Sequence, residues 1–115
     1  MQPPQRDLRE HLPLRPSAFA VLAALADGPL PGIDVIDAVN ATVPGTPLLG
    51  PGTLYRLLRE LRHEQLIARV ASTSSDERQA HHELTPLGRA VLRAEAARLR
   101  RTLELVDGRS RGGLH

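Results

Sequence analysis

The chain has 115 residues, a formal net charge of +2, 41% hydrophobic and 24% charged residues, and no cysteine. This length and composition are typical of one small globular domain, and they exclude a chain that is disordered throughout. The absence of cysteine excludes disulfides, thiolate nucleophiles and zinc–thiolate sites. No apolar run approaches the roughly 18 residues of a membrane span and no signal peptide is evident, so we expect a cytoplasmic protein without a membrane partner.

The basic residues are unusual in kind, because all 15 are arginine and none is lysine. The planar guanidinium matches phosphates and base edges, which favours a nucleic-acid partner, although a biased genomic base composition would produce the same enrichment. Phe19 and Tyr55 are the only aromatic residues among phenylalanine, tryptophan and tyrosine. This scarcity argues against an RNA-recognition module or a single-strand binder that stacks bases.

The first predicted elements follow an N-terminal arm, residues 1–16, which is rich in proline and charge and has room for one short helix. Ser17 is a suitable N-cap for a first helix over residues 18–26, where apolar residues recur at helical spacing. A second helix begins near Gly32 and ends near Asn40. Residues 42–50 contain prolines and glycines and are predicted to form a loop.

A third helix is predicted from Pro51 to about Glu64, and its two faces differ sharply. At 100° per residue one face is entirely leucine, and the opposite face carries glycine, arginine and histidine. The apolar face consists of Leu54, Leu57, Leu58 and Leu61, and the polar face of Gly52, Arg56, Arg59 and His63. Tyr55 and Arg62 lie on one flank. The helix therefore presents a cationic surface opposite a core-facing one.

The segments LIARV and QAHHEL flank the polar stretch ASTSSDER, which predicts a β-hairpin with a solvated tip. Thr85 and Pro86 then open a last helix, as N-cap and first helical residue, that reaches about Val106. Five of its apolar residues step by four and three, the spacing of a two-helix seam: Leu92, Ala96, Leu99, Leu103 and Val106. The arginines of this helix, interleaved with Glu95 and Glu104, are predicted to face solvent, and Gly88 is predicted to make a close contact with the hairpin or an earlier helix.

The predicted fold class is mainly α with a small β-hairpin. Three helices followed by a hairpin is the order of a winged helix-turn-helix, whose third helix enters the major groove of DNA. We assign residues 17–84 to this DNA-binding domain, residues 85–107 to a long C-terminal dimerisation helix, and residues 108–115 to a disordered tail.

Three segments resemble the PadR family of bacterial transcriptional regulators over residues 14–106: LRPSAFAVLAALADGPLPGIDVI, LGPGTLYRLLRELRHEQLI and LTPLGRAVLRAEAARLRR. The resemblance implies a homodimer paired through the last helix, a palindromic operator, and repression relieved by an effector such as a small molecule. Two positions depart from the family pattern. Pro31-Gly32-Ile33 replaces a histidine, a glycine and an aromatic residue, and His81-His82 replaces a tyrosine pair. The chain has no tryptophan, so stacking of flat ligands on tryptophan at the dimer interface is excluded.

The candidate DNA-binding residues are Ser17, Gly52, Thr53, Tyr55, Arg56, Arg59 and Arg78. Glycine at a helix start lets a phosphate approach unpaired backbone N–H groups, and outward arginines read guanine. Each residue also has a plainer interpretation: the glycines serve a turn, Tyr55 packs, and any single arginine is solvated.

We predict no metal site, no cofactor and no enzymatic activity. His81 and His82 are adjacent, so on a strand they point to opposite faces and do not chelate one ion together. No nucleophile, phosphate-binding loop or paired carboxylates form a recognisable catalytic set. The remaining alternative to a DNA-binding repressor is a winged-helix adaptor that binds proteins and not DNA. The histidine pair also predicts that DNA affinity changes with pH.

Overall fold

The computed structural model describes residues 5–42, 50–71 and 75–113. The helices are α1 (Gln5–Glu10), α2 (Pro16–Ala24), α3 (Gly32–Thr42), α4 (Pro51–His63) and α5 (Pro86–Gly113), and the strands are β1 (Leu30–Pro31), β2 (Ile67–Arg69) and β3 (His81–Leu84). The predicted fold class, mainly α with a small β-hairpin and a long C-terminal helix, is confirmed, and the hairpin is part of a three-stranded antiparallel sheet. Within the described ranges no helix combines the length and apolar character that crossing a bilayer requires.

The hydrophobic core lies between α2, α3 and α4, and it is closed by the sheet and the first part of α5. All four leucines of the predicted apolar face of α4 are buried. Full burial of such a side chain stabilises the fold by roughly 1.5–3 kcal/mol. The core is formed by Ala18, Ala20, Val21, Leu22 and Leu25 near α2, Val35, Ile36 and Val39 on α3, Leu54, Leu57, Leu58 and Leu61 on α4, and Leu66, Ile67 and Val91 beyond it.

The sheet has three strands in the order β1-β3-β2, with both pairs antiparallel. The β2–β3 hairpin is confirmed, and Ile67 lies opposite Leu84 in its register. The additional strand β1 pairs Leu30 with His82 and was not predicted. A two-residue strand that contains Pro31 shows no alternation of apolar and polar residues, so sequence periodicity has nothing to detect.

Helix α2 begins earlier than predicted, and Ser17 is not its N-cap. Arg15 occupies the N-cap position without a side-chain cap hydrogen bond, and Pro16 is the first helical residue. The fixed φ of proline suits this position, and its missing N–H is one that the helix start would leave unpaired. A serine hydroxyl is a common helix cap, but here the proline sets the start of the helix.

Helix α4, strand β2 and helix α5 meet at Leu66. The Thr85 hydroxyl donates a hydrogen bond to the carbonyl of Gln65 at 2.6 Å and accepts one from the Gly88 N–H at 2.9 Å. Thr85 is therefore the N-cap of α5, as predicted. A Cβ atom added at Gly88 would lie 1.9 Å from the carbonyl oxygen of Leu66, so the close contact predicted for this glycine is present.

The N-terminal arm is attached to α5 through Glu95, which is only 1% exposed. Its carboxylate accepts a hydrogen bond from the Leu14 N–H at 2.7 Å and pairs with Arg98. The prediction that Glu95 belongs to a solvent-facing stripe is therefore wrong, because the arm covers this side of α5. The hydrogen bond from Arg98, together with that from the Leu14 N–H, holds the pKa of Glu95 below its usual value despite burial.

The C-terminal end of α5 also differs from the prediction, since the helix continues to Gly113 and not to about Val106. The sequence DGRSRGG contains glycine, which weakens a helix, but no proline, which would stop one sterically. Residues 114–115 of the predicted tail, residues 1–4 of the arm and most of the predicted loop at 42–50 lie outside the described residues.

Candidate nucleic-acid interface

Among the described residues, no side chain caps the first backbone N–H groups of helix α4. Gly50 is the N-cap in an extended conformation (φ −67°, ψ 155°), it makes no side-chain cap hydrogen bond, and Pro51 follows as the first helical residue. The first turn contains no acidic residue. The N–H groups of Gly52 and Thr53, both at exposed positions, therefore have no intrahelical partner and carry the partial positive charge of the helix dipole.

Nothing in the described part of the chain requires glycine at this helix start. Gly50 has an ordinary negative φ, and Gly52 is not in the left-handed region either. No described atom lies within 4 Å of a Cβ added at either position. The interpretation that these glycines serve only turn geometry is thus unsupported, and no described atom occupies the space they leave.

The outward face of α4 carries exposed arginines. Arg56 and Arg59 lie opposite the four buried leucines and point away from the core, as the sequence predicts. The nearest acid along the helix, Glu60, lies on a flank and pairs with Arg15 across 3.2 Å. An exposed pair of this kind adds only about 0–1 kcal/mol of stability. It does, however, place a cation beside the one carboxylate on that flank.

Tyr55 lies on the other flank of α4 and is half-buried. A Cβ added at Gly32, the first residue of α3, would lie 3.5 Å from its ring. The packing interpretation of Tyr55 is therefore supported.

Arg78 comes close to the same end of α3 from the other side. The Ile33 N–H donates a hydrogen bond to the Arg78 carbonyl at 3.0 Å, and the Arg78 N–H donates one to the Asp76 carboxylate, also at 3.0 Å. Its side chain remains exposed. Tyr55 and Arg78 thus both lie against the start of α3, beside the outward face of α4.

Ser17 is the member of the predicted set with the weakest connection to the others. It is half-buried in the first turn of α2, two residues after Arg15. The described contacts link this end of α2 to Glu60 on the flank of α4. A DNA contact by Ser17 stays a prediction.

A cluster of partly buried charges lies beside this interface and is not predicted from the sequence. Glu77, whose side chain is 15% exposed, binds Arg62 of α4, Arg69 of β2 and His82 of β3. Burial by itself would raise the pKa of Glu77, but the hydrogen bonds from the two arginines outweigh burial and hold the pKa below its usual value. The stretch ASTSSDER looks solvated in sequence, so no local pattern identifies Glu77 as a buried anchor.

His82 is fully buried in this cluster, whereas His81 is half-buried. Burial lowers the pKa of His82 below its usual value, against the opposing effect of Glu77, and Arg62 and Arg69 lower it further. Among the described residues no group of three or more acidic or histidine side chains is placed to hold a metal ion.

The residues of the predicted two-helix seam divide into two groups along α5. Leu92, Ala96 and Leu99 are half-buried, whereas Leu103 and Val106 are 61% and 55% exposed. A cavity of about 540 Å³ adjoins Leu99 of the first group, and it is lined by Leu14, Pro16, Phe19, Ala20, Ala23, Ala24, Ala38, Glu95, Arg98 and Leu99. Most of this lining is apolar, and Glu95 and Arg98 supply its charges.

Comparison with known proteins agrees with this architecture. The family model described as the transcriptional regulator PadR-like family matches residues 21–94. An uncharacterized 37.1 kDa protein of a Streptomyces fradiae transposon is 42% identical over 78 residues, which are 66% of this chain and 21% of that protein. The chain thus spans about a fifth of the length of this relative.

Two solved structures show the same fold. A PadR family transcription regulator from Clostridium difficile superposes with a TM-score of 0.66 at 20% identity, over 80% of this chain and 95% of that chain. Bacillus subtilis PadR in complex with operator DNA superposes with a TM-score of 0.58 at 22% identity, over 71% of this chain and 46% of that chain.

Proposed function

Because the chain belongs to the PadR-like family of transcriptional regulators, we propose that it is a sequence-specific DNA-binding repressor that acts as a homodimer on a palindromic operator. The family consists of regulators and not of enzymes, in agreement with the sequence analysis. Operator DNA bound to the similar Bacillus subtilis protein supports duplex DNA as the partner.

The observation that carries the proposal is the outward face of α4. Its first backbone N–H groups are not capped by any described side chain, no acid occupies its first turn, and Arg56 and Arg59 are exposed opposite a buried leucine face. Such a helix fits the major groove, where a bidentate arginine on guanine provides about 1–3 kcal/mol of discrimination. The free N–H groups of Gly52 and Thr53 would bind a phosphate at the edge of the groove.

Dimerisation through α5 would present two copies of α4 to one duplex. Leu103 and Val106 are large apolar side chains on the seam and are more than half exposed in the single chain. Pairing of two α5 helices would remove them from water, which is the main driving force for such an association. A two-fold dimer reads two half-sites in opposite orientation, so a palindromic operator follows from the symmetry.

The cavity beside α5 supports relief of repression by a small molecule. It contacts Phe19 on α2 and Leu99 on the seam, so an occupant would touch both the DNA-binding domain and the dimerisation helix. The apolar walls favour an apolar effector. In a dimer, the distance between the two α4 helices would determine how well they fit one duplex. An effector that binds one such arrangement more tightly than another would change DNA affinity by the ratio of its affinities for the two arrangements.

Selection of duplexes from a randomised library, followed by titration at several salt concentrations, tests the proposal. We expect Arg59→Ala to weaken binding to the selected duplex by roughly 5- to 150-fold and to weaken binding to a scrambled duplex much less. Arg100→Ala, on the exposed side of α5, is the matched control. Equal losses of affinity for the selected and the scrambled duplex would show that Arg59 contacts phosphate and not a base. Failure of the wild type to bind any duplex would favour the adaptor alternative.

A further inference from the structure

We propose that Glu77 is a positioning residue for DNA binding, which fixes the wing against α4 so that Arg78 and the outward face of α4 contact one duplex together. The wing is defined here as residues 67–71 and 75–84, that is β2, β3 and the described residues between them. The inference rests on the proposed DNA-binding function and adds to it a residue that touches no DNA itself.

The geometry around Glu77 joins three separate elements through one carboxylate. Oε1 accepts hydrogen bonds from Arg62 of α4 and, at 3.0 Å, from Arg69 of β2. Oε2 lies 3.0 Å from the same Arg62 nitrogen and 3.2 Å from Nε2 of His82 on β3. The two strands of the wing and the helix with the exposed arginines are thus held by the side chain that precedes Arg78.

The backbone of the same segment is held by α3. The Gly32 N–H donates a hydrogen bond to the Ala80 carbonyl at 3.1 Å, and the Ile33 N–H donates one to the Arg78 carbonyl at 3.0 Å. A Cβ added at Gly32 would lie 2.2 Å from the carbonyl oxygen of Glu77, so the backbones touch here. Arg78 is therefore fixed from the α3 side by its backbone and from the α4 side through its neighbour.

Within the cluster Glu77 is the only anion. Arg62 and Arg69 both bind it, and without it these two cations would face each other at a partly buried position with no carboxylate between them. His82 does not take the place of Glu77 between the two arginines, because a histidine carries no negative charge. With Nε2–H donated to Glu77, a second proton would sit on Nδ1, which is buried and has no hydrogen-bond partner among the described residues. The cluster therefore depends on Glu77 for its cohesion.

If Glu77 positions the wing, its replacement should change DNA affinity in the direction opposite to that expected from the loss of its charge alone. Removal of a carboxylate makes a DNA-binding surface more positive, which by itself strengthens binding to phosphates. Loss of a positioning residue instead releases the wing and removes the phosphate contact of Arg78. Weaker binding by a variant that has lost a negative charge would therefore identify positioning as the dominant contribution.

The experiment measures affinity for the selected duplex with Glu77→Gln, Arg78→Ala and the double variant, across a range of salt concentrations. We expect Glu77→Gln to bind about tenfold more weakly, which corresponds to the loss of one charge-assisted contact. The slope of log K against log salt should become shallower by about 1. Arg78→Ala should have little further effect in the Glu77→Gln background, since the contact would already be lost.

Glu83→Gln is the matched control, because Glu83 is an exposed acid on β3 and its replacement removes the same charge from the wing. It should bind DNA as tightly as the wild type or slightly more tightly. Equal or tighter binding by Glu77→Gln, or additive losses in the double variant, would overturn the inference. Failure of the wild type to bind any duplex would overturn the proposed function first, so the two failures are distinguishable.

Hydrogen exchange distinguishes release of the wing from unfolding of the whole domain. In Glu77→Gln the amides of Gly32 and Ile33, which donate to the wing, should exchange faster, while amides in the middle of α4 keep wild-type protection. If Glu77→Gln does not fold, Arg69→Met, which removes one of the two cations at a more exposed position, should still speed the exchange of the Gly32 and Ile33 amides, a readout that does not depend on the lost positive charge at the DNA surface. A folded Arg69→Met protein with unchanged exchange at these amides would count against the cluster.

Discussion

Replacement of Gly88 by alanine tests the packing of α5 against the rest of the domain. The new Cβ would lie 1.9 Å from the carbonyl oxygen of Leu66 and 2.8 Å from its carbonyl carbon. An ordinary carbon–oxygen contact is about 3.3–3.6 Å, so Leu66 or α5 has to move by more than about 1 Å. Leu66 is fully buried, and its carbonyl accepts hydrogen bonds from Thr85, so neither side moves freely.

The expected change in the free energy of unfolding follows from three contributions. Overpacking of a rigid core costs about 1–3 kcal/mol, and weakening of the hydrogen bond from the Thr85 N–H to Leu66 costs about 1 kcal/mol. Alanine gains up to about 1 kcal/mol over glycine in helix propensity, which offsets part of this. The variant should therefore be about 1–3 kcal/mol less stable, with a melting temperature lower by roughly 5–20 °C.

Urea denaturation followed by far-ultraviolet circular dichroism measures this difference, since the chain has no tryptophan and a single tyrosine to report on folding. All variants should be compared at one protein concentration, because the proposed dimerisation would couple stability to concentration. Gly108→Ala is the control in the same helix, and no described atom lies within 4 Å of its new Cβ. It should be unchanged or slightly more stable. A Gly88→Ala protein as stable as Gly108→Ala would refute the packing argument.

The remaining predictions concern association, pH and the start of α4. Leu99→Glu combined with Leu103→Glu should give monomers by analytical ultracentrifugation, because like charges would meet across the seam; a double variant that still sediments as a dimer excludes this interface. Burial lowers the pKa of His82, so the unfolded chain binds its proton first, and stability should be constant above about pH 6.5 and fall below it. The fall in urea midpoint with pH should be smaller in His82→Gln, and an identical pH profile would contradict this assignment. Gly52→Ala should keep or raise stability by up to about 1 kcal/mol yet weaken DNA binding in a duplex titration, since its methyl group would hold a phosphate away. Unchanged affinity would show that no phosphate approaches the helix start closely at Gly52.

The helices could be predicted from the sequence because the residues that determine them lie close together along the chain. Leu54, Leu57, Leu58 and Leu61 recur at the period of a helix, and burial of that face is the only arrangement that removes all four side chains from water. Thr85 and Gly88 likewise carry recognisable chemistry, a side-chain cap and an absent side chain. The outward face of α4 could be identified for the same reason, as the complement of its buried face.

The residues that escaped prediction depend on contacts between distant parts of the chain. Glu95 is buried because Leu14, which lies 81 positions earlier, donates its N–H to it. Glu77 is held by Arg62 and His82, on two different elements, and its own neighbours in sequence are polar. No periodicity marks such positions, since an acid that will be neutralised in the fold looks in sequence like one that will face water. The expectation that protonation of the histidine pair changes DNA affinity stays a prediction.

Strand β1 limits how this protein associates with others. Pro31 lies in β1, an outer strand of the sheet that pairs on one side with β3. A proline has no N–H to offer, and two residues are too few to template a further strand. This border is therefore closed to strand addition, the route by which small sheets recruit copies of themselves into aggregates. In the proposed dimer, contact between copies would instead be made by the apolar side of α5, where a helical surface would fix both the number of partners and their orientation.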